Sequence, residues 1–373
     1  MPACSVCKKN STTQRFNNYK KIEKLTMKRI ILIATIALLA SMTVMAGDKN
    51  PKQRRIPRHH HKAPAAMQMP AALKPGDKIA IISPASTPGN DNPEKAAATL
   101  RAWGFEPVIG QHVLDKSHMY AGTIEERCAD LRWALNDPDI KAIVCTRGGY
   151  GAAMLLGPMT HRDFNRQPKW IVGYSDITAL HSAMVCSGVM SLHANMGGAL
   201  GSRGANDSIN LMLRDVLTGK LPSYTVPAHP LNKPGTARGI VLGGNMAVFT
   251  NIGGSRSWDF LDRDNIRGKD IILFFEDVSE SMARVNSMLQ ALRLKGVLSH
   301  VKGIIVGRFT EYEPGNDYSD MAEMLAETLN KYNIPVCYDF PASHDESWNY
   351  PIIEGCPAVL DVTPQGVKLT FEK

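Results

Sequence analysis

Short apolar runs alternate with longer amphipathic stretches from Leu73 to about residue 202. The apolar runs predict buried strands at Lys78–Ser83, Glu106–Ile109, Ala142–Thr146 and Trp170–Val172. Helical spacing predicts helices at Asn92–Trp103, Thr123–Asn136 and Ile177–Val185. In the second helix, Thr123 and Glu126 form the pattern of a capping box. Strands that alternate with helices favour βαβ units, in which helices cover both faces of a parallel sheet.

The second half of the chain has a different pattern. Residues 203–237 are rich in proline and have few long apolar runs, so we interpret them as the connection between two domains. Beyond them, strands are predicted at Gly239–Leu242, Asp270–Phe275, Gly303–Gly307 and Val336–Tyr338, and helices at Ser281–Leu294 and Tyr318–Lys331. Residues 358–372 alternate like an antiparallel hairpin. The sequence therefore predicts an N-terminal α/β domain over 73–202 and a mixed α/β domain over 238–373.

An uncharged apolar stretch, Ile30–Met45, lies near the N-terminus. Lys28 and Arg29 precede it, and a small-residue cleavage signature ends at Ala46. The stretch is shorter than the ~20 residues that a transmembrane helix needs. We therefore predict a signal peptide over 27–46, with a signal anchor retained in the membrane as the alternative.

Two further segments flank this predicted signal peptide. Residues 47–72 are rich in Lys, Arg, Pro and His and are typical of a flexible linker. Because a signal peptide starts with its basic region, we predict that translation begins at Met27 and that 1–26 is a spurious extension. The predicted location is the periplasm or another exported site, with membrane contact only during export.

The charge of the chain is uneven. The 373 residues include 43 Lys and Arg against 35 Asp and Glu, for a net charge of +8. Residues 1–70 hold 14 of the basic residues but only Glu23 and Asp48 as acids, so the remainder is net acidic. We therefore expect no nucleic-acid partner. The seven cysteines are too few for a disulfide scaffold, although a Cys337–Cys356 bridge stays open in an oxidising compartment.

The segment Gly173–Asp176 is a candidate nucleophile turn. A predicted strand runs into it and a predicted helix follows, which is the arrangement that projects a serine hydroxyl in a nucleophile elbow. Ile177 stands where the second glycine of G-x-S-x-G would be. The alternative is that Ser175 only caps the following helix.

A serine nucleophile needs a base. His181 lies six residues along the helix from Ser175 and would face away from it. His193 follows a short strand and suits either the core or the wall of a site. His344 lies in a loop after a strand, where side chains can converge on a site, or it is a solvated loop histidine.

Glu276 is the candidate partner for such a base. It ends the very apolar strand IILFF, where a shielded carboxylate needs a partner. An imidazole suits it, because the carboxylate fixes the tautomer and stabilises the imidazolium. The alternatives are helix capping by Glu276 or Asp277, or a salt bridge with Arg284.

Five motifs, in this order, resemble the LD-carboxypeptidase family, serine peptidases that trim peptidoglycan peptides and are related to microcin C self-immunity peptidases. They are Arg147–Gly151, Gly173–Thr178, Gly243–Asn245, Phe275–Asp277, and Phe340-Pro341 with His344. The similarity runs from about Leu73 to near the C-terminus. For the fold, we expect a flavodoxin-like parallel-sheet domain followed by a mixed α/β domain of the swivelling β/β/α type.

The resemblance implies a catalytic triad divided between the two domains. By its motifs, Ser175 is the nucleophile, His344 the base and Glu276 the carboxylate. It also implies an oxyanion hole made by the backbone amides of Gly149 and Asp176.

The resemblance further implies removal of the terminal D-alanine from a murein tetrapeptide through an acyl-enzyme, without a metal or another cofactor, by a homodimer. Arg147 and Gly148 are the candidate substrate-binding residues, with a purely structural role for Arg147 as the alternative. The segment Leu192–Asn195 departs from the His-Gly-Pro that relatives often have, which bears on substrate preference.

Other functional classes stay open at this point. An exported solute-binding protein with two α/β domains would bind a peptide or an anionic ligand without turnover. A nucleotide cradle is disfavoured because the loop at Arg147–Gly151 lacks the Lys-[Ser/Thr] of a P-loop. A metallopeptidase is disfavoured because the chain has no HExxH pair.

Overall fold

The computed structural model describes residues 67–90, 92–315 and 317–373. The predicted extension 1–26, the predicted signal peptide 27–46 and most of the predicted linker 47–72 lie outside the described residues.

The first sheet has six strands. Their bounds are Lys78–Ile82 (β1), Glu106–Ile109 (β2), Ile140–Cys145 (β3), Trp170–Gly173 (β4), Ser191–His193 (β5) and Ile352–Glu354 (β11). The order is β11-β5-β4-β3-β1-β2, and every pair is parallel except β11 with β5.

The second sheet has seven strands. Their bounds are Ser223–Pro227 (β6), Gly235–Asn245 (β7), Ile271–Val278 (β8), Gly303–Thr310 (β9), Val336–Phe340 (β10), Pro357–Thr363 (β12) and Gly366–Phe371 (β13). The order is β10-β9-β8-β7-β12-β13-β6. The four strands from β10 to β7 are parallel, and the remaining pairs are antiparallel.

Ten α-helices occur in the described part of the chain. They are Asn92–Ala102 (α1), Ile124–Asn136 (α2), His161–Asn165 (α3), Thr178–Cys186 (α4), Gly197–Arg203 (α5), Ser208–Leu217 (α6), Met246–Asn251 (α7), Arg263–Ile266 (α8), Met282–Leu294 (α9) and Met321–Leu329 (α10). Short 3₁₀ helices cover Ala152–Leu156, Ser175–Ile177 and Glu346–Trp348. The capping box predicted at Thr123 is present, with both of its hydrogen bonds to Glu126.

Helices cover both faces of the first sheet. Ile79 and Ile81 belong to a core that includes α1, whereas Ala80 and Ile82 belong to another that includes α2. This alternation is expected when successive strand residues point to opposite faces. The core with α1 also contains Phe274 of β8, so the two sheets share buried apolar contacts. The predicted α/β class, with a parallel N-terminal sheet and a mixed second sheet, is confirmed.

Two features differ from the sequence pattern. The segment 203–237 contains helix α6 and edge strand β6, although its prolines favoured an irregular connection. Pro227 fits because proline is tolerated on an edge strand. Strand β11 comes from the second half of the chain but pairs with β5 of the first sheet. Three residues are too few for a period-2 pattern to mark a strand.

The five cysteines beyond the predicted leader are all free thiols, so the Cys337–Cys356 bridge is absent among the described residues. No helix in these residues combines the length and apolar character that crossing a bilayer would require.

Candidate active site

Ser175 lies in a strained turn directly after β4. Its φ is 62°, a left-handed conformation that is uncommon for a residue with a side chain. The 3₁₀ helix begins at Ser175 and leads into α4, whose N-cap residue is Ile177. The alternative that Ser175 only caps the helix is therefore not what the structure has. Strain of this kind is typical of functional positions.

Gly148 and Gly149 follow β3, and Gly148 approaches Ser175 closely. A Cβ on Gly148 would lie 3.0 Å from Ser175 Oγ and 3.1 Å from the Asp176 amide nitrogen. Gly149 has a φ of 96°, and a Cβ there would collide with Ser86. Only glycine fits at both positions, and the Gly148 position leaves the space between the hydroxyl and the amide open.

Asp176 fixes the loop that carries these glycines. Its Oδ2 accepts a hydrogen bond from the Ala152 amide at 2.7 Å. Burial raises the pKa of the Asp176 carboxyl, although bonds from backbone amides and the nearby Arg127 oppose that effect. The turn after β4 is thereby joined to the loop after β3.

His344 and Glu276 form a buried pair. The ring Nδ1 of His344 donates to Glu276 Oε2 at 2.7 Å, and Glu276 is fully buried. Burial lowers the pKa of His344, but the charge of Glu276 and this hydrogen bond outweigh it, so that the pKa is raised. Because Nδ1 carries the proton, Nε2 is the basic atom; within the described residues it has no hydrogen-bond partner.

The position of Glu276 follows from an irregularity in β8. The register with β9 shifts between Phe275 and Asp277, and such a bulge re-aims a side chain. Asp277 instead accepts bonds from the Asn245 side chain and the Ala247 amide. Burial, with the charge of Glu276, raises the pKa of Asp277 to about 6.

The alternative partner for Glu276 is engaged elsewhere. The guanidinium of Arg284 lies 3.6 Å from Glu280. Glu276 is therefore paired with an imidazole, as proposed, whereas the alternative of helix capping applies to Asp277, which binds the Ala247 amide in the first turn of α7.

Ser175 and His344 line one cavity of about 310 Å³. Arg147, Gly148 and Gly149 line it too. No hydrogen bond joins Ser175 to His344 in the part of the chain that the structure describes. In free enzymes such bonds are often long and tighten only when substrate binds. The candidate nucleophile and base therefore meet at one cavity, and the buried carboxylate of Glu276 binds the base.

The other two histidines belong to the core. His181 Nε2 lies 2.9 Å from the Gly173 carbonyl oxygen and Nδ1 lies 2.6 Å from Ser191 Oγ, and burial lowers its pKa to about 4. His193 is fully buried, and burial lowers its pKa well below the ordinary range. Its ring centroid is 6.0 Å from that of Tyr174, which contacts His344 edge-on at 5.1 Å. His193 therefore lies behind the wall of the site.

Sequence reasoning missed several polar residues of the cavity, among them Asn92, Thr146 and Glu346. Glu346 is two positions after His344, so its place in that loop was the available signal. Arg147 is exposed and forms no ion pair with another described residue, which leaves its charge available to a ligand.

One group of potential metal ligands lies outside the cavity. The ligand atoms of His112, Asp115 and Glu126 lie within 4.8 Å of one another. His112 already pairs with Asp115 at 2.7 Å, and Glu126 accepts from the Thr123 amide in the capping box. These internal bonds account for the arrangement without an ion.

Two family models match this chain. The model of the LD-carboxypeptidase N-terminal domain matches residues 79–194, and that of the C-terminal domain matches residues 238–360. The chain belongs to the LD-carboxypeptidase family. It is therefore a carboxypeptidase of a serine peptidase family, which decides against the non-enzymatic alternative.

Relatives and solved structures agree with this family. A putative carboxypeptidase of Synechocystis is 34% identical over 75% of this chain and 90% of the relative. A probable murein peptide carboxypeptidase of Bacillus subtilis is 30% identical over 71% of this chain and 82% of the relative. The crystal structure of muramoyltetrapeptide carboxypeptidase from Oxalobacter formigenes superposes with a TM-score of 0.71 at 25% identity, covering 79% of this chain and 99% of that one. The apo microcin C7 self-immunity protein shares the fold, with a TM-score of 0.70 at 24% identity over 82% of this chain and 99% of its own.

Proposed function

We propose that this LD-carboxypeptidase removes the terminal D-alanine of murein tetrapeptides through an acyl-enzyme on Ser175. The observation that carries the proposal is the 2.7 Å bond between His344 Nδ1 and Glu276, at the cavity that Ser175 lines. That bond leaves Nε2 of the imidazole as the proton acceptor. The relatives named as murein peptide carboxypeptidases support the substrate class.

In the acylation step, His344 Nε2 removes the hydroxyl proton as Ser175 Oγ attacks the carbonyl carbon before the D-alanine. The charge on the carbonyl oxygen is stabilised by the amides of Gly149 and Asp176. The C–N bond then breaks, and His344 gives its proton to the leaving amine. Free D-alanine departs, and the tripeptide stays bound to Ser175 as an ester.

In the deacylation step, water replaces the departed amine. His344 takes a proton from the water as its oxygen attacks the ester carbonyl. When the C–O bond to Ser175 breaks, the proton returns to the serine oxygen and the tripeptide leaves. Glu276 stays ionised throughout, stabilising the imidazolium and holding the ring in orientation.

Substrate recognition follows from the charges in the cavity. A carboxypeptidase must bind a terminal carboxylate beside the scissile bond, and the guanidinium of Arg147, which forms no ion pair with another described residue, suits a carboxylate. Glu346 adds a carboxylate to the same cavity, which suits an ammonium group further along a peptide. This pairing of opposite charges fits a zwitterionic peptide.

We also propose that the protein is exported and forms a homodimer. The predicted signal peptide over 27–46 supports export, and the resemblance to the family supports the dimer. The N-terminal peptide of protein made in the native host tests export: a chain that begins at Gly47 is expected. A chain that keeps residues 27–46 would contradict it. Light scattering of that protein tests the dimer, and a monomer at assay concentration would contradict it.

The activity is tested by mass spectrometry of the purified protein incubated with a murein tetrapeptide. The expected product is the tripeptide that has lost one alanine, formed equally with and without a chelator. Turnover that stops with the chelator would contradict the serine mechanism. An unchanged tetrapeptide in all samples would contradict the proposed substrate.

A further inference from the structure

A buried polar cluster lies beside the loop that carries His344. Its side chains are Asn195 and Asn210 from the first half of the chain and Ser343 and Asn349 from the loop. All four residues have no exposed surface. Buried amides are costly unless they are hydrogen-bonded, so the bonds that they make define the local structure.

Asn195 is at the centre of this cluster. Its Nδ2 donates to Asn210 Oδ1 at 3.1 Å and to the Glu346 carbonyl oxygen at 3.3 Å. Its Oδ1 accepts from Asn349 Nδ2 at 3.2 Å. One side chain thus binds the His344 loop at two points and uses both its donor and its acceptor.

Further hydrogen bonds fix Asn210 and Asn349, the two side chains whose amides bind Asn195. Asn210 Nδ2 donates to the carbonyl oxygens of Ala199 and Gly204, which fixes the amide that faces Asn195. On the loop side, Asn349 Oδ1 accepts from the Ser343 amide at 3.3 Å. The loop is therefore closed on itself at Ser343 and Asn349, with His344 inside the closed segment.

The ring of His344 has few other restraints. It makes the bond to Glu276 and the edge contact with Tyr174, and its Nε2 has no partner among the described residues. The position of Nε2 in the cavity therefore depends on the bond to Glu276 and on the backbone of the loop. A misplacement of about 1 Å at such a group can cost about 100-fold in rate.

We propose that Asn195 is a positioning residue, which binds the 343–349 loop to the first sheet and thereby aligns His344 between Glu276 and Ser175. Asn195 lies in the Leu192–Asn195 segment, after β5, and it is not among the residues that line the cavity. The expected effect on kcat rests on the proposed function. The effect on the position of the His344 ring can be measured whether or not the protein turns over a substrate.

The test compares Asn195→Ala with Asn330→Ala. Asn330 is the control, because its side-chain amide also makes two hydrogen bonds, to the Leu231 carbonyl oxygen and the Tyr338 hydroxyl. None of these three residues lines the cavity. We expect Asn195→Ala to lower kcat by about 10- to 100-fold with KM changed by less than about threefold. Asn330→Ala lowers the melting temperature but keeps kcat.

A second readout follows the ring directly. The groups that raise the pKa of His344 are Glu276, Asp277 and Glu311, against the opposing effect of burial. Loosening the loop weakens the pair with Glu276, so NMR titration of the His344 ring is expected to give a lower pKa in Asn195→Ala. In Asn330→Ala the ring titrates as in the wild type. This readout decides the proposal even if the wild type releases no D-alanine.

Asn349→Ala removes the hydrogen bond to Asn195 from the loop side. It takes the place of Asn195→Ala in the test if Asn195→Ala does not fold. The double variant is expected to lose less kcat than the two single losses combined, because both variants remove the bond between Asn195 and Asn349. An unchanged ring titration and an unchanged kcat in folded Asn195→Ala or Asn349→Ala would overturn the proposal. Fully additive losses in the double variant would overturn it as well.

Discussion

At the scale of single residues, the site depends on a backbone conformation that residues other than glycine rarely adopt. Ser175 has a φ of 62°, a conformation that costs about 1–3 kcal/mol and persists only where the surroundings enforce it. The neighbouring loop is held by Asp176, whose carboxylate accepts from the Ala152 amide. The turn and the loop thus fix each other around the space next to the serine hydroxyl.

The first prediction concerns Gly148. Its replacement by alanine places a methyl group 3.0 Å from Ser175 Oγ and 3.1 Å from the Asp176 amide, in the space proposed for the oxyanion. We expect kcat/KM to fall by about 100-fold or more, the size of losing an oxyanion-hole donor. Steady-state release of D-alanine measures it.

Gly157→Ala is the matched control for this change. Gly157 has a φ of −60°, and its added Cβ would meet only the Met154 carbonyl oxygen at 3.7 Å. It should keep wild-type activity. Equal activity in the Gly148 and Gly157 variants would count against an oxyanion at that place.

The second prediction concerns pH. His344 must be neutral to accept a proton, and its pKa is raised above its usual value of 6.5. Activity is therefore lost as pH falls through a value above 6.5. Glu276→Gln removes the charge that raises the pKa of His344, whereas the burial that lowers this pKa remains. The acid limb of kcat/KM is therefore expected to move to lower pH. We also expect kcat to fall by about 10⁴-fold.

The profile of kcat/KM against pH measures both effects. If Glu276→Gln has the same acid limb as the wild type, the limb does not report His344. In that case the pair is not the catalytic one.

At the scale of elements, long apolar runs were the reliable signal. Strands β1 and β8 and helix α9 lie where the pattern predicted them, within a few residues, because the two strands are almost continuously buried and the helix buries residues at helical spacing. The three-residue strand β11 was not predicted, because its partner β5 is far away in sequence and no local pattern encodes that pairing.

The third prediction concerns Glu354 of β11. Its carboxyl is fully buried, Oε2 accepts from the Gly243 amide at 2.8 Å, and burial raises its pKa to about 8. Since the unfolded-state pKa is the ordinary 4.5, the folded protein binds more protons between these values. Stability is therefore greatest at low pH in this range and is lost as pH rises from about 4.5 to about 8.

Glu354→Gln keeps an acceptor for Gly243 and removes the titration. We expect this variant to have the higher melting temperature at pH 8 and to lack the decline that the wild type shows toward that pH. Thermal unfolding between pH 5 and pH 8 measures it. A parallel decline in both proteins would mean that another group is responsible.

At the scale of the whole molecule, two sheets deliver the site residues from distant parts of the chain. Ser175 follows β4 of the first sheet, whereas Glu276 lies near the carboxyl end of β8 and His344 lies in the loop after β10, two strands of the second sheet. Glu276 and His344 are 68 positions apart and still share a hydrogen bond. Ligands commonly bind beyond the carboxyl ends of parallel strands, so the convergence follows from the topology.

The sequence could predict these three residues from motif order, but it could not predict what holds them. The bulge at Glu276 depends on how β8 meets β9. The cluster around Asn195 depends on bonds to Asn349 across 154 positions. Both arise from packing between elements, which no local pattern records.

The most direct test of the account is the release of D-alanine from a murein tetrapeptide by Ser175→Ala, measured on protein whose melting temperature matches the wild type. We expect kcat to fall by about 10⁴-fold or more, since the remaining groups cannot form the acyl-enzyme. A variant that keeps turnover within about tenfold of the wild type would contradict Ser175 as the nucleophile.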